Sequence, residues 1–420
     1  MKLLTNAGIY LGANLLSAAI PFLLLPFLTR ALSPAEYGIV AMLGVSLSIF
    51  TIFTGLNLNG AVGVRYFQLG AEAFRDYVCA CVLLILLSTA FVALAVWSGG
   101  TVLRSVLSLP VGWLVALVLV AGLGALTAVW LSILQVSGRA LQFGALQISR
   151  TAIDFVLSIL FVLFLALGWQ GRGLGQAIAA IVVAAAALLL LRRNGYLGPM
   201  RDFRAHSRDA LFFGVPLIPH ALGGLAMNYT DRLVLINLLD EEQTGLYVVG
   251  LQIGMAVSLL AESVNKSFAP WLMERLGRSD DESKLKIVRG TYLTAAALLA
   301  ATLSVIVVAP TLVPLVVGEK FASSAKIVPF IAVGYFFAGC YYLVVNYVFY
   351  AGKTALLSKT TVFMGLLYVP LVYLFVSRFG VLGAGYAFVI INAATFLLVW
   401  IVSRTVFPMP WFEFRALAGR

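Results

Sequence analysis

The chain has 420 residues, of which 62% are hydrophobic and 11% charged, and its mean hydropathy is +1.03. Soluble globules are near half apolar and about a quarter charged, so a water-soluble fold is excluded and the chain reads as an all-α polytopic membrane protein. The formal net charge of +11 would suit a nucleic-acid binder, but the distribution of the cations gives it a simpler meaning.

Apolar stretches able to span a hydrocarbon core of about 30 Å recur in order at Gly8–Leu28, Gly38–Val64, Val78–Trp97, Val111–Val136, Thr151–Leu167 and Leu174–Leu191. They continue at Leu211–Leu239, Gly245–Val264, Thr291–Val317, Ile327–Tyr350, Thr361–Val376 and Val381–Val402, which predicts twelve helices. The fifth is short, so its membrane portion is expected to begin near Leu146. No small-residue cleavage site follows the first stretch, which is read as a retained helix. Cys79, Cys81 and Cys340 all lie in apolar stretches without ligand spacing, so neither disulfides nor a metal site is expected.

The first helix runs into Ser33, Pro34 and Glu36, a complete helix-start signature of cap, first-position proline and capping-box acid. The seventh ends the same way, with Asp240 and Gln243 answering Ser33 and Glu36, and Gly245 answering Gly38. Gly138, Arg139 and Ala140 are echoed by Gly352, Lys353 and Thr354, and the glycine-rich Gly173–Ala177 by Gly383–Ala387. Each echo lies about half a chain length from its partner, so the chain reads as two six-helix lobes related by a pseudo-two-fold axis along the membrane normal. The predicted organisation is an N-terminal lobe over 1–195, a cytoplasmic linker over 196–210, a C-terminal lobe over 211–404 and a cytoplasmic tail over 405–420. The basic linker Arg192–Arg208 is read as a solvated stretch or one lying on the inner leaflet, and His206 within it and His220 in the seventh helix have no partner visible in sequence.

Of the 28 Lys and Arg residues, 21 fall in one alternating set of loops and termini, including Arg201, Arg278, Lys284, Arg415 and Arg420. The positive-inside rule then places both termini in the cytoplasm, and the excess charge needs no nucleic acid to explain it.

The seventh stretch carries adjacent charges, Asp231 and Arg232, about 12 Å before the Asp240 cap. An ionised group facing lipid there costs at least about 2.5 kcal/mol, so the pair is expected to face a protein interior or aqueous cavity. Being about 100° apart on the helix, the two are expected to need different partners. Pro216 and Pro219 are expected to break this stretch in its first half. Arg150 and Asp154 at the start of the fifth helix, and Glu262 and Lys266 at the end of the eighth, are spaced i to i+4 and are geometrically able to pair. Arg30 and Arg65 close the first and second helices.

At Pro21–Gly38, at Arg65 in Gly60–Phe67, at Thr230–Arg232 with Gly245–Tyr247, and at the glycine-rich openings of the sixth and twelfth helices, the chain resembles the Wzx-type polysaccharide and O-antigen repeat-unit flippases. These belong to the multidrug/oligosaccharidyl-lipid/polysaccharide (MOP) exporter superfamily, and the resemblance covers the whole length. It implies a MATE-like fold in a bacterial inner membrane, with no enzymatic activity. The implied action is to move a polyprenyl (undecaprenyl type) pyrophosphate-linked oligosaccharide of lipopolysaccharide assembly from the cytoplasmic to the periplasmic leaflet by alternating access.

Forked arginine donors suit a pyrophosphate, so Arg232, Arg65, Arg30 and Arg150 are the candidate substrate-binding residues. Asp231, Asp154 and Glu262 are the candidates for coupling to a sodium or proton gradient. No cofactor is expected, and the partners expected are the bilayer, the lipid-linked oligosaccharide and other polysaccharide assembly proteins. A cation-coupled drug or metabolite antiporter of the same fold is the competing reading. A glycosyltransferase is disfavoured because no outward loop is long enough to carry a catalytic site.

Overall fold

The computed structural model describes residues 2–277 and 281–412, which are helical almost throughout and include no strand. Arg278, Arg415 and Arg420 from the charge count, and the tail beyond 412, lie outside the described residues. The first half forms α1 (Lys2–Ala31), α2 (Pro34–Gly55), α3 (Leu58–Arg65), α4 (Ala71–Leu107), α5 (Val111–Val136), α6 (Ala140–Ile159) and α7 (Gly168–Arg193). There follow α8 (Phe203–Gly214), α9 (Ile218–Leu238), α10 (Glu241–Gly254), α11 (Ala256–Leu276), α12 (Asp281–Val317), α13 (Val328–Tyr350), α14 (Thr354–Phe379) and α15 (Val381–Val406). Among the described residues, eleven helical stretches are long and apolar enough to cross a membrane, several of them joining two of these helices. With α1, which carries the first expected stretch Gly8–Leu28, they account for the twelve expected spans.

The chain divides into two compact units, residues 1–225 with 240–245, and residues 226–239 with 246–420. In the first unit α5 is central and packs against α2, α3, α4 and α7. Its sequence is apolar on every side, which is what a helix surrounded by others requires. Val118, Val129 and Trp130 are fully buried, and Trp130 and Ile133 meet Tyr77, Val78 and Cys81 of α4 in one core. In the second unit α13 has the corresponding place, packed on α11, α12 and α15.

Helix ends follow the local chemistry. Ser33 Oγ accepts the Glu36 N–H at 3.2 Å while the Glu36 carboxylate accepts the Ser33 N–H at 2.9 Å, the reciprocal capping box. Asp240 Oδ1 accepts the Gln243 N–H at 2.7 Å, which is the cap half of such a box, and starts α10. These echoed helix starts touch within the first unit. A Cβ placed on Gly38 would run into the Glu241 carbonyl, and one on Gly245 into that of Pro34, so each glycine lets the other backbone approach.

Several spans are broken, and two of the breaks meet. Leu56 and Asn57 take left-handed conformations (φ 47 and 53) and separate α2 from α3. Pro216, which has no N–H to donate, sits in the single 3₁₀ turn Val215–Leu217 between α8 and α9, as expected from the prolines. The breaks lie against each other, with Asn57 Nδ2 donating to the Gly214 carbonyl at 3.4 Å.

Candidate functional site

The fifth span corrects the sequence reading. Gly138 (φ 71) ends the preceding turn and α6 begins at Ala140, so the span runs Ala140–Phe164. Arg150 and Asp154 are therefore not at its start but about 15 and 21 Å along it. The apolar-run reading stopped short because Gln142, Gln147 and Arg150 interrupt the hydrophobic pattern.

Arg150 also does not pair with Asp154. Among the described residues the guanidinium makes no hydrogen bond or ion pair, although Asp154 is within electrostatic reach. Asp154 is held instead by Arg172 of α7, whose Nη1 donates to Asp154 Oδ1 and to Ser158 Oγ at 2.7 Å. Arg150 instead lines two cavities of the first unit. One, of about 250 Å³, is walled by Thr51, Asn57, Asn59 and Gly124, so the broken end of α2 contributes polar groups to it. The other, of about 100 Å³, is walled by Arg150, Thr151, Asp154 and Gln176, and the buried Gln176 Oε1 has no hydrogen-bond partner among the described residues. A guanidinium with no partner among the described residues, on a cavity edged by amide and hydroxyl side chains, is an arrangement suited to receiving an anionic oxygen.

Arg65 and Arg30 lie elsewhere. Arg65 is engaged by Asp209 through a forked ion pair, Nη2 to Oδ1 at 2.6 Å and Nε to Oδ2 at 2.8 Å, and it also donates to Gln68. This partnership pushes up the pKa of a group that is always cationic. The surrounding linker is docked and not free in solvent. The Arg201 N–H donates to Asp76 Oδ2 at 3.0 Å, and the rings of His206 and Tyr77 meet edge to face. Arg30 is exposed in the last turn of α1, where a cation offsets the helix dipole, and it has no ion-pair partner among the described residues.

The charges of the seventh span are in the second unit. Asp231 is 3% exposed, and its Oδ2 accepts a hydrogen bond from the hydroxyl of fully buried Tyr247 at 2.6 Å. Its Oδ1 accepts the Arg232 N–H at 2.8 Å. Arg232 folds back along its helix, donating to the Asn228 carbonyl and covering the Tyr229 ring at 4.8 Å. Each residue thus has its own partner, as expected, yet the two also approach each other at 3.8 Å because the arginine is long enough to turn back. Tyr335 and Tyr368 are within electrostatic reach of both, and the buried Tyr368 hydroxyl has no hydrogen-bond partner among the described residues. Glu262 does not pair with Lys266. It is exposed, accepts from Ser258 Oγ at 3.4 Å, and lies within electrostatic reach of Tyr335 and Tyr342.

The structure thus groups Arg150 with Asp154 in the first unit, and Asp231 with Arg232 in the second with Glu262 nearby, and it leaves Arg30 and Arg65 outside both groups. Sequence reading missed Arg172, Gln176, Asp209 and Tyr247. Arg172 was legible only as an outer-loop charge, and Tyr247 only as part of an echoed motif.

The model of a family described as polysaccharide biosynthesis protein matches residues 3–275. An uncharacterized membrane protein of Haemophilus influenzae is 29% identical over 413 residues, 91% of this chain and 95% of that protein. A protein of the Haemophilus influenzae Lsg locus is 25% identical over 388 residues, covering 88% and 90%. Among solved structures, an inward-facing multidrug-resistance MATE family transporter of the MOP superfamily superposes with a TM-score of 0.73 at 15% identity, covering 92% of this chain and 94% of that one. A MOP superfamily transporter from Pyrococcus furiosus, described as having a binding pocket of reverse polarity, gives 0.61 at 16% identity, covering 96% and 94%. At these identities the structural likeness establishes the fold, which is that of the MATE transporters.

Proposed function

The chain belongs to the polysaccharide biosynthesis protein family, and from that premise we propose that it is a flippase for a polyprenyl-pyrophosphate-linked oligosaccharide. The substrate passes from the cytoplasmic to the periplasmic leaflet of a bacterial inner membrane by alternating access, with both termini of the protein in the cytoplasm. The carrier is of the undecaprenyl type, and the product feeds assembly of an O-antigen or a related lipopolysaccharide. The observation that carries the reading is Arg150, a guanidinium with no partner among the described residues, about 15 Å along a membrane-spanning helix and on a cavity walled by Asn57 and Asn59. A permanently cationic group within a span favours the visit of an anion, and its fork fits phosphate oxygens. Arg232 is less available, being partnered by its own helix and the Tyr229 ring.

The reading as a drug-cation antiporter of the same fold is disfavoured by that charge, since a cationic substrate would call for an acidic cavity. For the Pyrococcus furiosus relative, too, pocket polarity is the feature held to suggest a different function. Coupling to sodium or protons is assigned first to Asp231, a buried carboxylate bonded to a neutral tyrosine, and second to Asp154, which is committed to Arg172.

The test is deletion of the gene followed by mass spectrometry of the lipid-linked oligosaccharides. An intermediate should accumulate, and it should be cleared by the wild-type gene but not by Arg150→Gln expressed at equal abundance. No accumulation, or clearance by Arg150→Gln, would overturn the assignment.

A further inference from the structure

Arginine and aspartate one helical turn apart within a span would be expected to pair, and Arg150 and Asp154 stand in that relation. They remain apart because of α7. Arg172 reaches across to α6 and holds Asp154 Oδ1 together with Ser158 Oγ, while the Ser158 hydroxyl itself donates to Asp154 Oδ1 at 3.3 Å. The carboxylate thus has two donors, both on Oδ1 and neither of them Arg150. The approach is built into the backbone: a Cβ on Gly175 would lie 2.7 Å from Ser158 Oγ and 2.9 Å from the Ser158 nitrogen, so only glycine lets α7 come close enough to lay the guanidinium along α6. Gly171 fits against Phe161 in the same way. The ion pair is largely enclosed, with side-chain exposures of 12% for Arg172 and 21% for Asp154. Two arginines therefore share one acid in this part of the first unit, and the one left over faces the cavities.

We propose that Arg172 is a positioning residue: by sequestering Asp154 it keeps Arg150 an unpaired cation for a phosphate or pyrophosphate group and so sets the preference of the cavity for anions. The claim rests on the flippase reading for the identity of that anion, but the geometry asks only for phosphate chemistry. Arg172 touches no substrate in this scheme. Its effect passes through the acid it holds, and this separates it from a residue that merely braces two helices.

That separation gives the test. Full-length protein in nanodiscs is titrated with a short-chain polyprenyl pyrophosphate, and with inorganic pyrophosphate to see whether the head group alone suffices. Variants are compared only where they are monodisperse. Arg172→Gln should weaken binding at least about tenfold, because Asp154 is released to neutralise Arg150. Adding Asp154→Asn to Arg172→Gln should restore it to within a few-fold of wild type, since no acid then competes, and Asp154→Asn alone should tighten binding. Arg172→Lys, which keeps the charge on a shorter side chain that must still reach Asp154 and Ser158, should fall between wild type and Arg172→Gln. If Arg172→Gln binds like wild type, or if the double variant binds as poorly as the single, the positioning role is wrong while the anion site stands. If Arg150→Gln binds like wild type, the site itself is wrong, and the positioning role falls with it.

Discussion

Replacing Tyr247 by phenylalanine removes one oxygen from a fully buried ring and leaves its packing in place, so it isolates the 2.6 Å bond to Asp231. Two magnitudes compete for the expected loss. Hydrogen bonds to charged groups contribute about 1.5–3 kcal/mol in soluble proteins. Side-chain bonds inside membrane proteins average about 0.6 and reach about 1.7 kcal/mol, because the unfolded chain in a bilayer finds other partners. The geometry favours the upper end of the membrane range. At 3% exposure Asp231 has little water to turn to, and its other partners, the Arg232 N–H donating at 2.8 Å and the guanidinium charge at 3.8 Å, both serve Oδ1 and leave Oδ2 bare. We expect about 1.5 kcal/mol, roughly tenfold in the folding equilibrium. Tyr247→Ala would not serve, since emptying the site adds a cavity cost of about 3–5 kcal/mol that hides the bond. The assay is denaturant unfolding of the purified protein in mixed micelles for Tyr247→Phe, Asp231→Asn and the double variant. A coupling energy below about 0.5 kcal/mol, the level of an average intramembrane contact, would refute the claim that this bond is what makes the buried carboxylate tolerable.

Gly245→Ala should lower stability by about 1–3 kcal/mol and reduce folded yield, because its Cβ meets the Pro34 carbonyl, a backbone atom that cannot swing away; an unchanged melting temperature would show that the crossing is loose. In a background lacking Cys79, Cys81 and Cys340, a single cysteine at Arg201 should resist an impermeant maleimide in intact cells and react after lysis, and labelling in intact cells would invert the topology. Neutralising Asp231 to asparagine should shift the sodium or pH dependence of transport more than the same change at Asp154, whose carboxylate is already occupied by Arg172; equal dependence in both variants and wild type would remove these acids from the coupling.

The all-helical membrane fold was determined by the sequence itself, because hydrocarbon leaves an unpaired backbone no alternative to the helix, and length and hydropathy alone then locate most spans. Local chemistry went further, since capping and ring closure act between near neighbours: the Ser33–Glu36 box, the Asp240 cap and the proline break at Pro216 all stand where the residues predict. The burial of Asp231 and the separate partners of Asp231 and Arg232 were also legible, since the cost of charge in lipid does not depend on the neighbours' identity. Which neighbours they are was decided only by the tertiary structure. Spacing along one helix suggested Arg150 with Asp154 and Glu262 with Lys266, but a carboxylate pairs with the nearest well-placed donor from any element, and those donors were Arg172 on α7 for Asp154 and Ser258, one turn back, for Glu262. Arg65 found its partner 144 residues away in Asp209, on a linker that sequence alone left solvated or on the lipid surface. The depth of Arg150 was hidden for a related reason: a helix face that lines a polar cavity carries polar residues, and a search for apolar runs ends where such a face begins.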